Sequence, residues 1–339
     1  MRHATFAVFV GREDEEQEMR RLFSLPMIFG SFAIILGGAT SPADGPDDLT
    51  RRGNTRIHWQ RKADMPEARR NLKIAAVGNE IFALGGYAQP HKGREQGNFC
   101  YDIKSDTWSV KKDMHVGRSN FAIASVNGKL YAIGGDKFLD DCEAYRPEND
   151  SWFSISPMPT ARQHIDGAVI EDRIHVIGGR ISWSENSQEA LIDAHEVYDT
   201  GSDSWNNSAP FPRRAENPSV SAVKGKLYVI DGFDGSLRVY DPEKNVWEDR
   251  NKMPSAHFIV GSAIMNDKIF VLDGARPEED YSRVFVYDTE DDSWSEATSL
   301  PVGVKLAGFT SVGGKLFVIG GCDHEFTARS SVFVGEIEE

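Results

Sequence analysis

A fixed distance between tryptophan and glycine recurs six times along this chain of 339 residues. Counting 26 residues forward from each tryptophan of the series reaches the first residue of a Gly-Gly or Asp-Gly pair. The tryptophans are Trp59, Trp108, Trp152, Trp205, Trp247 and Trp294, and the matching positions are Gly85, Gly134, Gly178, Asp231, Asp273 and Gly320. The chain therefore repeats one unit six times, and its fold must pack six similar units against each other.

A second fixed distance divides each unit further. A tyrosine stands seven residues before the tryptophan in five units, at Tyr101, Tyr145, Tyr198, Tyr240 and Tyr287. Apolar runs precede the glycine pairs, and turn formers such as Asn127-Gly128 precede those runs. This pattern predicts four short antiparallel strands in each unit, with a loop of variable length between the glycine pair and the tyrosine.

Six such units predict an all-β fold, because repeated four-stranded sheets bury both faces when they are arranged around an axis. The succession of Gly-Gly, Tyr-Asp and Trp resembles the kelch repeat from Ile57 to Glu339. That resemblance implies a six-bladed kelch-type β-propeller. Trp59 has no glycine pair before it and the last pair has no tryptophan after it, so residues 56–61 are expected to close the last blade.

Two further sets of residues fit this expectation. Small residues stand ten positions before each glycine-pair position and are expected to crowd the axis: Ala75, Ala124, Ala168, Ser221, Ala263 and Thr310. Planar rings stand three positions before it and are expected to fill the space between blades: Phe82, Tyr131, His175, Tyr228, Phe270 and Phe317.

The region before the repeats has a different character. Residues 1–18 contain an acidic run and are interpreted as an upstream extension foreign to the protein. Residues 19–40 join basic residues, an apolar stretch and small residues, which predicts a signal peptide, with an uncleaved membrane anchor as the alternative. Residues 41–55 are interpreted as a linker and 56–339 as the propeller. The predicted location is therefore periplasmic or secreted.

Composition and motifs exclude several function classes. A net charge of −14 argues against nucleic-acid binding, which relies on Lys and Arg at phosphates. The chain has no phosphate-binding loop, nucleophile elbow or metal-ligand spacing, so no cofactor and no metal are predicted. Three cysteines, Cys100, Cys142 and Cys322, form no recognisable pairing motif. The propeller is expected to be a monomer.

The candidate site lies on the face that carries all variable loops. Arg69, Arg118 and Arg162 occupy equivalent positions just before the first strands of three blades, and a fourth blade supplies His257. In four blades, a polar residue follows this position by two residues and is expected on the innermost strand. These residues are Asn71, Asn120, His164 and Asn217. This set predicts a basic funnel for a carboxylate or phosphate. In the alternative interpretation, each arginine pairs with an acidic neighbour such as Asp136 or Asp166.

The longest variable loop and the sixth blade add candidates. The loop runs from Arg180 to Glu196 and contains Trp183, the one tryptophan outside the repeat register. Trp183 is interpreted as stacking on a sugar or clamping a peptide, or alternatively as packing on its own loop. His324 follows the last glycine pair on the same face, and Cys322 there is expected to be accessible.

Two functions follow from these observations. The signal peptide, the basic funnel and the kelch resemblance together predict an exported propeller that binds an anionic ligand, such as a sugar acid, or a protein partner at the channel mouth. Alternatively, similarity to N-acetylneuraminate epimerase-like kelch proteins implies a periplasmic sugar-acid epimerase or mutarotase. Glu216 would then be the catalytic base, with Arg118 or Arg162 holding the carboxylate.

Overall fold

The computed structural model describes residues 55–88, 95–182, 190–232, 234–254, 259–274 and 282–338. These residues form six four-stranded antiparallel sheets. Residues 1–54, on which the predicted signal peptide and linker fall, lie outside the described residues, as do Trp183 and His257. Within the described ranges, no helix has the length and apolar character needed to cross a membrane.

The blades follow one another along the chain. Blade 1 contains β2 (Lys73–Val77), β3 (Glu80–Leu84), β4 (Asn98–Asp102) and β5 (Thr107–Lys111). Blade 2 contains β6 (Ala122–Val126), β7 (Lys129–Ile133), β8 (Cys142–Arg146) and β9 (Ser151–Ile155), with a 3-10 helix at Pro147–Asn149. Blade 3 contains β10 (Asp166–Ile170), β11 (Arg173–Ile177), β12 (His195–Asp199) and β13 (Ser204–Asn207).

The second half of the ring has the same organisation. Blade 4 contains β14 (Ser219–Val223), β15 (Lys226–Ile230), β16 (Leu237–Asp241) and β17 (Val246–Arg250). Blade 5 contains β18 (Ile259–Met265), β19 (Lys268–Asp273), β20 (Ser282–Asp288) and β21 (Ser293–Leu300). Blade 6 contains β22 (Gly308–Val312), β23 (Lys315–Ile319), β24 (Val332–Ile337) and, from the other end of the chain, β1 (Ile57–Lys62).

The predicted ring closure is confirmed. Strand β1 pairs with β24 from Ile57 opposite Ile337 to Lys62 opposite Val332. The strand is shifted by one residue from the predicted 56–61. Because the two ends of the chain share one sheet, the ring has no open gap between its first and last blades.

The seven-residue spacing is the signature of a cross-strand pair. The tyrosine of the third strand and the tryptophan of the fourth strand stand directly opposite each other in blades 1 to 5: Tyr101 and Trp108, Tyr145 and Trp152, Tyr198 and Trp205, Tyr240 and Trp247, Tyr287 and Trp294. Their ring centroids lie 5.0–5.2 Å apart, within the range of favourable aromatic contacts.

One turn residue fastens each of these pairs to the neighbouring blade. In blade 2, Asp150 adopts a φ of 49° and its Oδ1 accepts hydrogen bonds from the Tyr145 hydroxyl (2.6 Å) and from the Lys112 backbone N–H (2.7 Å). Trp152 Nε1 donates to the Lys112 carbonyl (2.8 Å). The contacts recur with Asp106, Asp203, Asn245 and Asp292. These residues are therefore structural.

Aromatic rings fill the space between blades as predicted. Phe82 packs edge-on against Tyr145 of the next blade at 5.7 Å, and Phe317 packs against Tyr101 at 6.4 Å. His175 occupies the same position in blade 3 and lies 6.0 Å from Tyr240. The hydrophobic core thus lies in the blade interfaces and leaves the axis open.

Candidate functional site at the channel mouth

The axis of the propeller encloses a cavity of about 450 Å³. It is lined by all six innermost strands and includes every small residue predicted to crowd the axis: Ala75, Ala124, Ala168, Ser221, Ala263 and Thr310. Larger side chains at these positions would fill the space. A cavity of this size is within the range of small-molecule sites.

A ring of residues with left-handed backbone conformation surrounds one end of this cavity; we call it the mouth ring. Its members are Asn71, Asn120, His164, Asn217 and Leu306, with φ values of 60°, 52°, 58°, 50° and 54°. Backbone N–H groups of one blade donate to carbonyls of the preceding blade in the ring, from Asn71 to Leu306 (2.8 Å), from His164 to Asn120 (2.9 Å) and from Asn217 to His164 (3.0 Å). These residues stand just before the innermost strands. The expectation that they lie on the strands is corrected: asparagine tolerates the positive φ that the turn into the strand requires.

The three arginines of the predicted half-ring do not line the cavity. Arg118 is fully buried, and its Nη2 lies 2.7 Å from both Glu143 Oε1 and Asp141 Oδ1. Arg69 pairs with Glu67 at 2.8 Å, and Arg162 pairs with Glu196. The expectation of an open half-ring of cations is therefore corrected: the three arginines are buried, and each pairs with a carboxylate.

The arginines point inward because they fasten loops within their own blades. Arg118 Nη1 donates to the carbonyls of Gly134 (2.9 Å) and Asp141 (3.0 Å), at the two ends of the loop between β7 and β8. Arg69 Nη1 does the same in blade 1, with Gly85 and Gly97, each at 3.2 Å. The arginines do pair with acidic residues, as the alternative interpretation expected. Their partners are Glu67, Glu143 and Glu196, whereas Asp136 and Asp166 make other contacts.

Asp136 organises one side of the mouth. Its carboxylate accepts hydrogen bonds from the Tyr87 hydroxyl (2.7 Å), from Asn120 Nδ2 (2.8 Å) and from the Ser119 hydroxyl. Asn71 Nδ2 donates in turn to Asn120 Oδ1 (2.8 Å). This network joins blades 1 and 2 and fixes the polar side chains of the mouth ring in one geometry.

Asp166 takes part in an ion pair between non-adjacent blades. Its Oδ1 lies 3.1 Å from Lys73 Nζ of blade 1, while its Oδ2 accepts the Val220 N–H of blade 4 (3.0 Å). Both charged residues line the cavity at the first step below the mouth ring. The Lys73–Asp166 pair thus forms a charged floor under the mouth.

The opposite side of the mouth gathers four of the predicted site residues. Glu216 is buried, and its Oε1 lies 3.1 Å from Arg180 Nη1 and 3.3 Å from His164 Nδ1. His164 Nδ1 also lies 3.1 Å from Asn217 Oδ1. Because both oxygens are acceptors, Nδ1 carries the hydrogen. Glu216 therefore pairs with Arg180, and the expectation that Arg118 or Arg162 holds a substrate carboxylate is corrected, because both are buried against Glu143 and Glu196.

Two basic residues of the mouth, Arg70 and Lys305, were not among the residues predicted from the sequence. The Arg70 guanidinium lies over the rings of Tyr87 (5.5 Å) and Phe326 (5.7 Å), and Lys305 Nζ lies 5.8 Å from the Phe326 centroid. Each immediately precedes a mouth-ring residue, as Glu216 does. Comparing that one position across the six units would have found them.

The remaining candidates are placed as follows. The His324 side chain is exposed on the loop between β23 and β24, 3.9 Å from Glu325. Cys322, expected to be accessible, is buried, and burial raises the pKa of its thiol to about 12. All three cysteines are free. No group of three or more His, Cys, Asp or Glu side chains is arranged to hold a metal ion in the part of the chain that the structure describes.

The fold and these sites define a kelch-type β-propeller. A family model described as the KLHDC2/KLHL20/DRC7 Kelch-repeats domain matches residues 71–274, more than half of the chain. The chain therefore belongs to this kelch family. The solved structure titled "Structure of YjhT" superposes with a TM-score of 0.70 at 14% identity, over 82% of this chain and 97% of that one. At such identity the match shows the shared fold.

Curated relatives share the repeats at low identity. Kelch-like protein 36 of Bos taurus is 27% identical over 282 residues, which is 77% of this chain and 46% of that protein. Kelch-like protein 25 of Xenopus tropicalis is 22% identical over 262 residues, 75% of this chain and 36% of that protein. Beta-scruin of Limulus polyphemus is 27% identical over 154 residues, 42% of this chain and 16% of that protein. The chain spans less than half the length of each of these relatives.

Proposed function

We propose that this protein is an interaction module that binds a protein partner through its mouth face, the face formed by the mouth ring and the loops between second and third strands. The observation that carries the proposal is the preorganised polar rim around an open cavity. The Asp136 network and the Glu216 cluster hold side chains from four blades in fixed positions. Polar groups that are already ordered lose little entropy when a partner binds.

Photo-cross-linking from the two faces tests this proposal. A photoreactive amino acid replaces Glu325 on the mouth face or Glu290 on the opposite face, whose side chains are 77% and 75% exposed. We expect specific cross-links to a partner from position 325 and none from position 290. Cross-links from position 290 alone would reject the mouth face as the binding surface.

A second candidate function is a sugar-acid epimerase or mutarotase, and the Glu216 cluster favours it. A buried carboxylate held by Arg180 and a histidine N–H provides an acid–base group with a fixed orientation. The test is the anomer exchange rate of N-acetylneuraminate by NMR. Acceleration by the wild type that Glu216→Gln abolishes would support catalysis; equal rates with and without protein would reject it.

We also propose that the protein is exported to the periplasm or secreted. The proposal is supported by the order of basic, apolar and small residues in 19–40. Mass spectrometry of the mature protein from a fractionated host tests it. A mature N-terminus near residue 40 in an extracytoplasmic fraction is expected, whereas an intact chain in the cytoplasm would contradict export.

A further inference from the structure

Arg70 differs from every other buried arginine that the structure describes. Arg69, Arg118, Arg162 and Arg180 each pair with a carboxylate, from Glu67, Glu143, Glu196 and Glu216 respectively. Arg70 is 7% exposed and pairs with no carboxylate among the described residues. The chain has 52 acidic residues against 38 lysines and arginines, so a shortage of acids does not explain the difference. A buried charge without a partner is unfavourable in a folded protein.

The surroundings of Arg70 hold its guanidinium in place. It lies over two aromatic rings, and the Tyr87 hydroxyl is itself bonded to Asp136. Backbone hydrogen bonds in both directions join Arg70 to Tyr87, at 3.1 and 2.8 Å. The Nε atom is buried and has no hydrogen-bond partner among the described residues. The edge formed by the two terminal nitrogens is therefore the one left for a ligand.

Two features extend this site to the neighbouring blade. Lys305 brings a second cation from blade 6 to the same Phe326 ring. Phe326 has a φ of 64°, which is rare and strained for a bulky residue. Strained backbone of this kind persists at binding sites, where the surrounding structure imposes it.

We infer that Arg70 and Lys305 form a binding site for a carboxylate group at the channel mouth. The inference rests on the proposed function, since it names the chemical group that the mouth face takes from its partner. A planar carboxylate matches the two parallel N–H donors of the terminal edge of arginine. Stacking on aromatic rings favours arginine in this role, because its guanidinium is planar and weakly hydrated.

NMR of arginine side chains tests the site directly. Glutarate is titrated against its neutral analogue glutaramide while the Nε–H signals are recorded. Because Arg70 Nε is buried, its signal should exchange slowly with water and be resolved. We expect glutarate, and not glutaramide, to shift it. Arg70→Met should weaken glutarate binding about tenfold or more, since a charged hydrogen bond is lost, and Lys305→Met should weaken it less.

Arg146→Met is the matched control. Arg146 lies over the Phe153 ring at 3.9 Å, as Arg70 lies over its rings, but at the end of β8 on the face opposite the mouth. Its replacement should leave glutarate binding unchanged. Glutarate affinity that is equal in wild type and Arg70→Met, or the absence of any glutarate response in the wild type, would overturn the inference.

Three ligands distinguish the sources of the carboxylate. The first is a peptide with one internal glutamate and an amidated C-terminus, the second a neutral peptide with a free C-terminus, and the third N-acetylneuraminate. The one that binds most tightly, with a loss in Arg70→Met, identifies the source; binding of all three unchanged in that variant would overturn the site.

The same variant separates this inference from the proposed function. A partner that cross-links from position 325 equally in wild type and Arg70→Met would overturn the carboxylate site and leave the interaction module standing. Carboxylate binding at Arg70 together with cross-links only from position 290 would support the site and reject the mouth face as the partner surface.

Discussion

The two faces of the propeller use the repeat in opposite ways. On the face away from the mouth, five blades present the same set of contacts, in which a tyrosine hydroxyl and a neighbouring backbone N–H share one carboxylate or amide oxygen. At the mouth, the position before the mouth ring changes from blade to blade and is Arg70, Ser119, Gln163, Glu216 and Lys305 in the described blades. Repeated contacts stabilise the ring, and the varied position is where binding specificity can arise.

The comparison also separates two kinds of arginine at almost the same place. Arg69 and Arg70 are neighbours in sequence, yet Arg69 holds a loop through Glu67 and two carbonyls, whereas Arg70 lies over the Tyr87 and Phe326 rings and pairs with no described carboxylate. Successive residues of an extended segment point to opposite sides, so one enters the blade and the other the mouth. Replacing an arginine of each kind should therefore show whether it stabilises the blade or serves the mouth.

The largest effect is expected from Arg118→Met. The substitution leaves Glu143, which is 1% exposed, buried without its main ion-pair partner. Removing one member of a buried pair costs about 3–5 kcal/mol of the free energy of unfolding. Urea denaturation followed by tryptophan fluorescence measures it. A variant as stable as the wild type would show that the buried arginines are not part of the repeated scaffold.

The next effect concerns pH and blade 3, where histidines replace the usual ring. Burial lowers the pKa of His175 to about 4 and that of His195 to about 3. Below about pH 6.5 the unfolded chain therefore binds protons that the folded protein does not bind, and the free energy of unfolding falls as the pH drops. The loss should approach about 3 kcal/mol by pH 4 for His175 alone, from about 1.4 kcal/mol per pH unit.

A double variant provides the control for this pH dependence. His175→Tyr with His195→Leu gives blade 3 the residues that blade 4 has at Tyr228 and Leu237. Denaturation at several pH values should then show a flat profile between about pH 6.5 and 5. Acid sensitivity below that window should remain, because the Tyr145 hydroxyl bond lowers the pKa of Asp150 and that stabilisation disappears on protonation. An unchanged slope between about pH 6.5 and 5 would exclude the histidine pair as its source.

A smaller effect is expected from the repeated tyrosine contacts. Tyr145→Phe and Tyr287→Phe each remove one hydrogen bond to a carboxylate, of 2.6 and 2.7 Å. Each should lower the free energy of unfolding by about 1.5 kcal/mol. Because the geometry repeats, the two values should agree closely in thermal or urea denaturation. Values that differ several-fold would contradict the equivalence of the blades on this face.

The smallest effect on stability is expected from Arg70→Met. This change removes a buried charge and leaves no described carboxylate without an ion-pair partner. The free energy of unfolding should therefore stay within about 1 kcal/mol of wild type or increase. Urea denaturation beside Arg118→Met checks it with the same substitution at both sites. A loss as large as that of Arg118→Met would place Arg70 in the scaffold with the other arginines.

Much of the fold could be predicted because its rules are local. The spacing of Tyr145 and Trp152 fixes a cross-strand pair, and the missing partner of Trp59 fixes ring closure. The site was predicted in part. Glu216, Arg180, His164 and Asn217 were all named and do meet, but as one cluster among themselves. Their partners could not be derived, since contacts between blades depend on side-chain directions that spacing does not encode.

The sequence alone determined that six similar sheets close around an axis, because short-range periodicity and turn chemistry are sufficient to specify each sheet. Only the tertiary structure decided which cations are available. Arg118 and Arg70 are equally basic in the sequence, but Glu143 reaches one of them and no described carboxylate reaches the other. Pairing requires atoms within about 4 Å, and that distance is set by the packing of whole blades.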